Sequence, residues 1–335
     1  MFDKQILPQR IQGDNIVKPL VSIIVPIYQT EKFLPRCLDS LQRQSLTNIE
    51  ILLIDDDSPD KCGKICDKYA AKDKRFKVLH QKHAGTSVAR NLGIREATSE
   101  HLMFVDSDDW VHEDFCKDAY ECAISNNADI VKFGMQRVVN HNNLGLQFKT
   151  INALSTGHKT REELIDHQVK YGSSSCDKLF QKSLFDKDKF PEGYDYEDIF
   201  INIVIYNAKY IYSLNKVLYY YSYRPGSTTT LKTAKVLSDW FEMHRLLLQN
   251  LSSWDIYPPE KIDLEFKRKS LTYCIMKEKD PSDSNYLFAS QTLLNTKTIP
   301  EGFTWKQKIL FFLFKYCPPL FDFICDVYGT RSNQA

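Results

Sequence analysis

Residues 21–60 read VSIIVPIYQTEKFLPRCLDSLQRQSLTNIEILLIDDDSPD, and this stretch decides the fold class. VSIIVPI (21–27) and IEILLI (49–54) are short aliphatic runs in which polar residues do not alternate. Strands apolar on both sides suit the interior of a parallel sheet covered on both faces. Between them, Phe33, Leu34, Cys37, Leu38 and Leu41 share one side of a 3.6-residue period, which predicts a helix. Pro35 falls in its first turn, where a missing N–H costs nothing.

The rhythm continues outward. FKVLH (76–80) and HLMFV (101–105) are further strands, so four begin at 21, 49, 76 and 101. SPDKCGKICDKYAAKD (58–73) and GTSVARNLGIREA (85–97) fill the gaps as helices, with Ser58 and Thr86 as expected caps. Such repetition builds right-handed βαβ units and an α/β fold, a mostly parallel sheet flanked by helices. After Trp110 the spacing changes. A helix is expected over 113–126, one or two strands in ADIVKFGMQRVVN (128–140), a turn at HNNLG (141–145), and mixed helix and loop over 161–186. The aromatics of LYYYSY (218–223) read as a β-strand packing on one face, with room for one tyrosine to reach a sugar. The expected organisation is a lead-in (1–20), a main domain (21–230, divided at 112/113) and a helical C-terminal region (231–335).

Charged residues are 26% of the 335 and hydrophobic ones 43%, ordinary for a globular protein, and 44 basic against 43 acidic residues leave a net charge of +1. No basic footprint or motif for nucleic acid is present. The nine cysteines lack zinc-site spacing, and their odd number with no signal-peptide pattern predicts reduced, buried thiols in a cytosol. No stretch approaches the ~20 apolar residues of a membrane span. WKQKILFFLFKYCPPLFDFICD (305–326) has two readings: a helix lying in a membrane interface, or one docked on the protein's own core, in either case broken at Pro318 and Pro319.

Open α/β sheets bind ligands at the carboxyl ends of their strands. Those ends carry Tyr28, then Asp55, Asp56 and Asp57, then Asp106, Ser107 and Asp108. The first turn, PIYQTEKF, has no glycine to admit a pyrophosphate, and no GxxxxGK[ST] loop exists, so dinucleotide-binding Rossmann enzymes and P-loop enzymes are excluded. Asp106 and Asp108 stand at i and i+2, on one side if strand geometry persists, and two hard oxygen donors suit Mg²⁺ or Mn²⁺ shared with substrate phosphates. Alone, the same residues read equally as an acidic turn ahead of a helix.

Taken together, the stretch 21–60 followed by HAGTSVARNLGIREATSEHLMFVDSDDW (83–110) resembles the nucleotide-binding part of family 2 glycosyltransferases with the GT-A fold. SCDKLFQKSLF (175–185), FPEGYDYEDIF (190–200) and VLYYYSYRPGS (217–227) are similar to the acceptor side of bacterial capsule, lipopolysaccharide and exopolysaccharide glycosyltransferases. The resemblance implies inverting transfer of a hexosyl or N-acetylhexosaminyl group from a nucleotide-diphospho-sugar, most often a UDP-sugar. The acceptor would be a saccharide or lipid-linked saccharide, met at the cytoplasmic face of a membrane. By position, Pro26 and Tyr28 line the base pocket, Asp56 accepts from uracil, Asp106 and Asp108 serve the ribose, metal and diphosphate, and Asp198 is the catalytic base. Without the resemblance, Asp198 reads equally as a helix N-terminal charge.

Departures from the family pattern are Asp57, where a glycine is usual, and Cys176-Asp177 in place of Trp-Asn. Arg90 and Asn91 match an A-R-N motif, with Arg90 read either as a ligand contact or as a solvated or capping residue. The competing functions are a sugar-nucleotide or glycan binding protein without chemistry, against which Asp106, Asp108 and Asp198 argue, and a nucleotidyltransferase, for which PIYQTEKF lacks the glycine-rich basic loop.

Overall fold

The computed structural model describes residues 18–141, 145–151, 154–223, 227, 233–276 and 282–332. The chain alternates β1 (Val21–Ile27), α1 (Leu34–Gln42), β2 (Ile49–Asp55), α2 (Cys62–Lys72), β3 (Phe76–His80), α3 (Thr86–Glu96) and β4 (His101–Phe104). β5 (Trp110–Val111), α4 (Phe115–Asn126), β6 (Ile130–His141), β7 (Gly145–Ile151) and β8 (Gly157–Lys159) follow. Next come α5 (Arg161–Tyr171), β9 (Lys178–Gln181), α6 (Ile201–Asn207) and β10 (Ile211–Tyr223). Five helices close the chain: α7 (Ala234–Ser253), α8 (Pro259–Met276), α9 (Ser284–Asn295), α10 (Trp305–Tyr316) and α11 (Pro318–Ser332).

The ten strands form one sheet in the order β3-β2-β1-β4-β9-β6-β10-β5, with β7 on β6 and β8 on β10. β3, β2, β1 and β4 pair in parallel, whereas β9 is antiparallel to both β4 and β6, and β6 and β10 pair in parallel. All seven residues of β1 and of β2 are buried, as their unbroken apolar runs require. Pro26 removes an N–H from a central strand without loss, because β4 has ended opposite Ile24.

Helix α3 sets the distance between the sheet and the site. Gly93 lies against Ile24 so closely that an added Cβ would sit 2.4 Å from the Ile24 Cγ2. Helix propensity alone favours alanine there by about 1 kcal/mol. Overpacking against a fully buried isoleucine costs about 1–3 kcal/mol and wins. Gly93→Ala is therefore expected to lower the urea midpoint at unchanged slope, and an equal or higher midpoint would contradict this seating of α3.

Two of the expected caps are corrected. α2 begins at Cys62, whose N–H donates to Asp60 Oδ1, and α3 begins at Thr86 itself, behind Gly85 at φ +94°. Ser58 and Thr86 cap neither helix. β9 falls in the stretch expected to be helix and loop. The expected turn at 141–145 has residues 142–144 outside the described residues, as residues 1–17 of the lead-in are.

One apolar cluster centres on the sheet, and a second is built from α7 to α11. α7 feeds both, giving Met243, Leu247, Leu248 and Leu251 to the first and Leu237 and Phe241 to the second. Between α10 and α11 the chain breaks at Cys317, as Pro318 and Pro319 demand. Phe311, Phe314 and Phe321 dock inward, so the docked reading of 305–326 holds for one side of these helices. No helix among the described residues is long and apolar enough to cross a membrane.

Candidate functional site

At the carboxyl ends of β1, β2 and β4 lies a cavity of about 310 Å³. Pro26, Tyr28, Asp56, Asp106, Asp108 and Asp198 all line it, so the structure brings together every candidate that the sequence singled out. Thr30, Thr86, Arg90, Ser107, Ser173, Asp195, Glu197 and Tyr221 complete much of the wall.

The strand geometry does not persist to Asp108. β4 stops at Phe104, and Asp106 to Asp109 form a turn closed by the Asp109 N–H on the Asp106 carbonyl, 3.0 Å. Asp106 and Asp108 still reach the same cavity. Arg36 fastens the turn from outside, donating to the Asp108 carbonyl at 2.8 Å and lying 3.8 Å over the Trp110 ring.

Asp109 does a different job. Its carboxylate is 1% exposed and accepts from the Tyr219 hydroxyl and the Ser222 N–H, both at 2.6 Å. Burial first, then Asp108 and Asp106, hold its pKa well above the usual carboxylate range. Tyr219, itself fully buried, also accepts from the Asp106 N–H at 3.1 Å, so this tyrosine packs and braces the turn. Tyr221, two residues on, reaches the cavity.

Arg90 is the residue whose role the sequence left divided. It is 2% exposed on α3, and its guanidinium meets three carboxylates: Glu197 at 2.6 Å, Asp106 at 3.0 Å and Asp198 at 3.3 Å. That is a buried ion-pair hub, neither solvated nor a cap. Three acids against one cation favour retention of a proton. Burial pushes Glu197 up to about 7, opposed by Arg90 and reinforced by Asp198. Its folded value lies above its ordinary 4.5, so the folded chain keeps a proton that the unfolded chain releases between those values. Stability contributed by Glu197 is thus lost as pH rises from about 4.5 to about 7, and Glu197→Gln is expected to flatten that fall in midpoints measured across the window. A variant profile matching the wild type would place those protons elsewhere.

Asp198 sits at the start of a short 3₁₀ turn, Glu197–Phe200, that leads into α6. Its Oδ1 accepts from Ser175 Oγ at 3.1 Å and from Arg90, and among the described residues its Oδ2 has no protein donor. Burial raises its pKa, with Arg90 pulling the other way.

In the base region, each oxygen of the buried Asp56 already takes two donors. Oδ1 accepts from Gln81 Nε2 at 2.6 Å and Ala84 N–H at 2.9 Å, and Oδ2 from the Gly85 N–H at 2.8 Å with His83 Nδ1 at 2.9 Å. Burial would raise its pKa, but these hydrogen bonds and His83 outweigh it and hold Asp56 below the usual range. The His83 ring stacks on Tyr28, centroids 4.1 Å apart.

Both departures from the family pattern resolve locally. Asp57 adopts φ +55°, the left-handed conformation a glycine takes freely, and is exposed, so the turn keeps its path. Asp177 is fully buried between Lys132 Nζ at 3.0 Å and Lys178 Nζ at 2.5 Å. It pairs with two buried lysines, of which Lys132 is pushed down to about 8 by burial, and it does not line the cavity.

No group of three or more His, Cys, Asp or Glu side chains fit to hold a metal occurs among the described residues. Asp106 and Asp108 offer two hard oxygen donors, which suits a Mg²⁺ or Mn²⁺ completed by phosphate and water rather than an all-protein cage.

The family model described as glycosyl transferase family 2 matches residues 22–188. Glycosyltransferase GlyG of Streptococcus pneumoniae is 33% identical over 218 residues, covering 62% of this chain and 72% of GlyG. Glycosyltransferase GlyA of the same organism is 33% identical over 260 residues, 73% of this chain but only 36% of GlyA, so the chain spans about a third of that relative. A crystal structure of residues 1–349 of Staphylococcus aureus TarS with UDP-GlcNAc superposes with a TM-score of 0.66 at 22% identity, covering 94% of this chain and 90% of that one. At that identity the likeness is one of fold.

Proposed function

This chain belongs to glycosyl transferase family 2, and from that premise we propose that it transfers a sugar from a nucleotide-diphospho-sugar, a UDP-sugar, to a saccharide or lipid-linked saccharide in bacterial polysaccharide synthesis. The observation that carries the reading is that one cavity is lined by Tyr28, Asp56, Asp106, Asp108 and Asp198, with Arg90 bridging Asp106 to Asp198. The UDP assignment is supported by the complex of the fold relative TarS with UDP-GlcNAc.

In this reading the transfer inverts the anomeric centre. The acceptor oxygen bonds to the anomeric carbon as that carbon's bond to the diphosphate breaks, and the acceptor proton passes to Asp198 Oδ2. Ser175 and Arg90, both on Oδ1, hold the carboxylate with its other oxygen available. Asp106 and Asp108 would hold Mg²⁺ or Mn²⁺, which when bound offsets negative charge on the diphosphate. The enzyme would work at the cytoplasmic face of a membrane, where lipid-linked acceptors reside.

Asp108→Ala is expected to weaken Mn²⁺-dependent UDP binding by about tenfold or more in calorimetric titration, and chelator should bring the wild type down to the same level. Equal affinity of the two proteins with Mn²⁺ present, unmoved by chelator, would remove Asp108 from the site.

A further inference from the structure

Ten of the fourteen exposed large hydrophobic side chains among the described residues fall between Leu287 and Phe323. On α10, Trp305, Ile309, Phe312 and Tyr316 stand at i, i+4, i+7 and i+11, one side of the helix, and are 46–68% exposed. The opposite side holds Phe311 and Phe314, which dock in the second apolar cluster. Past the proline break, Leu320 and Phe323 on α11 are 48% and 64% exposed while Phe321 is buried. α10 is thus apolar on both sides, one facing the protein and one facing solvent, and its charged residues, Lys306, Lys308 and Lys315, are all basic.

We propose that this outer side of α10 and the start of α11 seats on an anionic lipid surface. The choice of occupant rests on charge and residue type. Trp305 and Tyr316 mark the two ends of the stripe, and such amphipathic rings lodge at the headgroup level. Lys306 and Lys308 are exposed beside them, able to extend their ammonium groups to phosphates while their stems lie along apolar surface. A second copy of the chain is disfavoured, since a two-fold contact would face this basic helix with itself. The proposal goes beyond the transferase reading and does not depend on it.

The test is flotation of the full chain with vesicles of equal parts phosphatidylglycerol and phosphatidylcholine, compared with phosphatidylcholine alone. Binding to the anionic vesicles is expected, weakened about tenfold or more by Phe312→Glu with Phe323→Glu, and by about fivefold for each lysine in Lys306→Gln and Lys308→Gln. These side chains are exposed, so the variants should keep the wild-type melting profile. No vesicle binding by the wild type, or equal binding by the variants, would overturn the proposal. A concentration-dependent dimer that the same variants abolish, without vesicle binding, would assign the surface to a second copy instead.

A separate observation carries a second inference, which rests on the transferase reading. A base seated on Tyr28 with its ring N–H on Asp56 needs a stacking face and a free acceptor, and His83 uses both. Of the four donors on Asp56, two are backbone N–H groups and one is the partly buried Gln81, whereas the His83 side chain is 52% exposed and the readiest to leave. We infer that His83 occupies the base's place in the donor-free protein and swings out when the nucleotide enters. His83→Ala should then tighten UDP binding, by on the order of fivefold in titrations with Mn²⁺, because a competing contact is removed. Weaker or unchanged binding would overturn the gate alone, making His83 a nucleotide contact or a bystander. UDP binding by neither protein would overturn the base pocket as well.

Discussion

Asp198→Asn is expected to lower the rate of sugar transfer by about 10²–10⁴-fold while leaving UDP affinity nearly unchanged. Asparagine keeps the shape and can still accept from Ser175 and Arg90 through its oxygen, but it cannot take a proton from an acceptor hydroxyl. The loss should fall on kcat, with little change in KM for the donor, the pattern of an interaction made only in the transition state. Removing one of three acids around Arg90 should not unfold the protein, so the effect can be read in a folded enzyme. Turnover at the wild-type rate would take Asp198 out of the mechanism.

The second large effect is on stability. Arg90→Met is expected to destabilise the fold by about 3–5 kcal/mol, because Asp106, Glu197 and Asp198 would share a partly buried space with their cation gone. The cost should shrink at low pH, where the carboxyl groups can protonate and cease to repel one another. Arg90→Met combined with Glu197→Gln should recover part of the loss, since the two residues act as one network and their effects are not additive. An unchanged denaturation midpoint in the single variant would show that the hub is not what holds the two halves of the site together.

Much of this architecture is legible in the sequence itself. The four parallel strands of the nucleotide-binding half were readable because each is an apolar run spaced by one helix. Five of the six candidate site residues converge because they stand at or just past the carboxyl ends of β1, β2 and β4, whereas Asp198 reaches the cavity on the 3₁₀ turn before α6 and was legible only through the family resemblance. What the sequence hid depends on distant partners. Asp109 resembles its neighbours Asp106 and Asp108, and only Tyr219 and Ser222, more than a hundred positions away, make it a buried brace. Arg90 looks like any helix arginine until Glu197 and Asp198 arrive from the acceptor side. β9 is four residues long and begins with a fully buried lysine, a residue that argues against a core strand unless Asp177 and its pairing are known. The C-terminal helices divided two readings because both sides of α10 are apolar, and periodicity cannot say which one faces the protein.

If the cavity takes a nucleotide-sugar and turns it over, binding and hydrolysis of the donor must appear together. The most direct measurement titrates the protein with a panel of nucleotide-sugars and Mn²⁺ while following melting temperature and slow donor hydrolysis together. A UDP-sugar is expected to raise the melting temperature and to be hydrolysed, both effects should vanish with chelator, and Asp198→Asn should keep the first and lose the second. No shift with any nucleotide-sugar would contradict the reading of the cavity from Asp56 to Asp198.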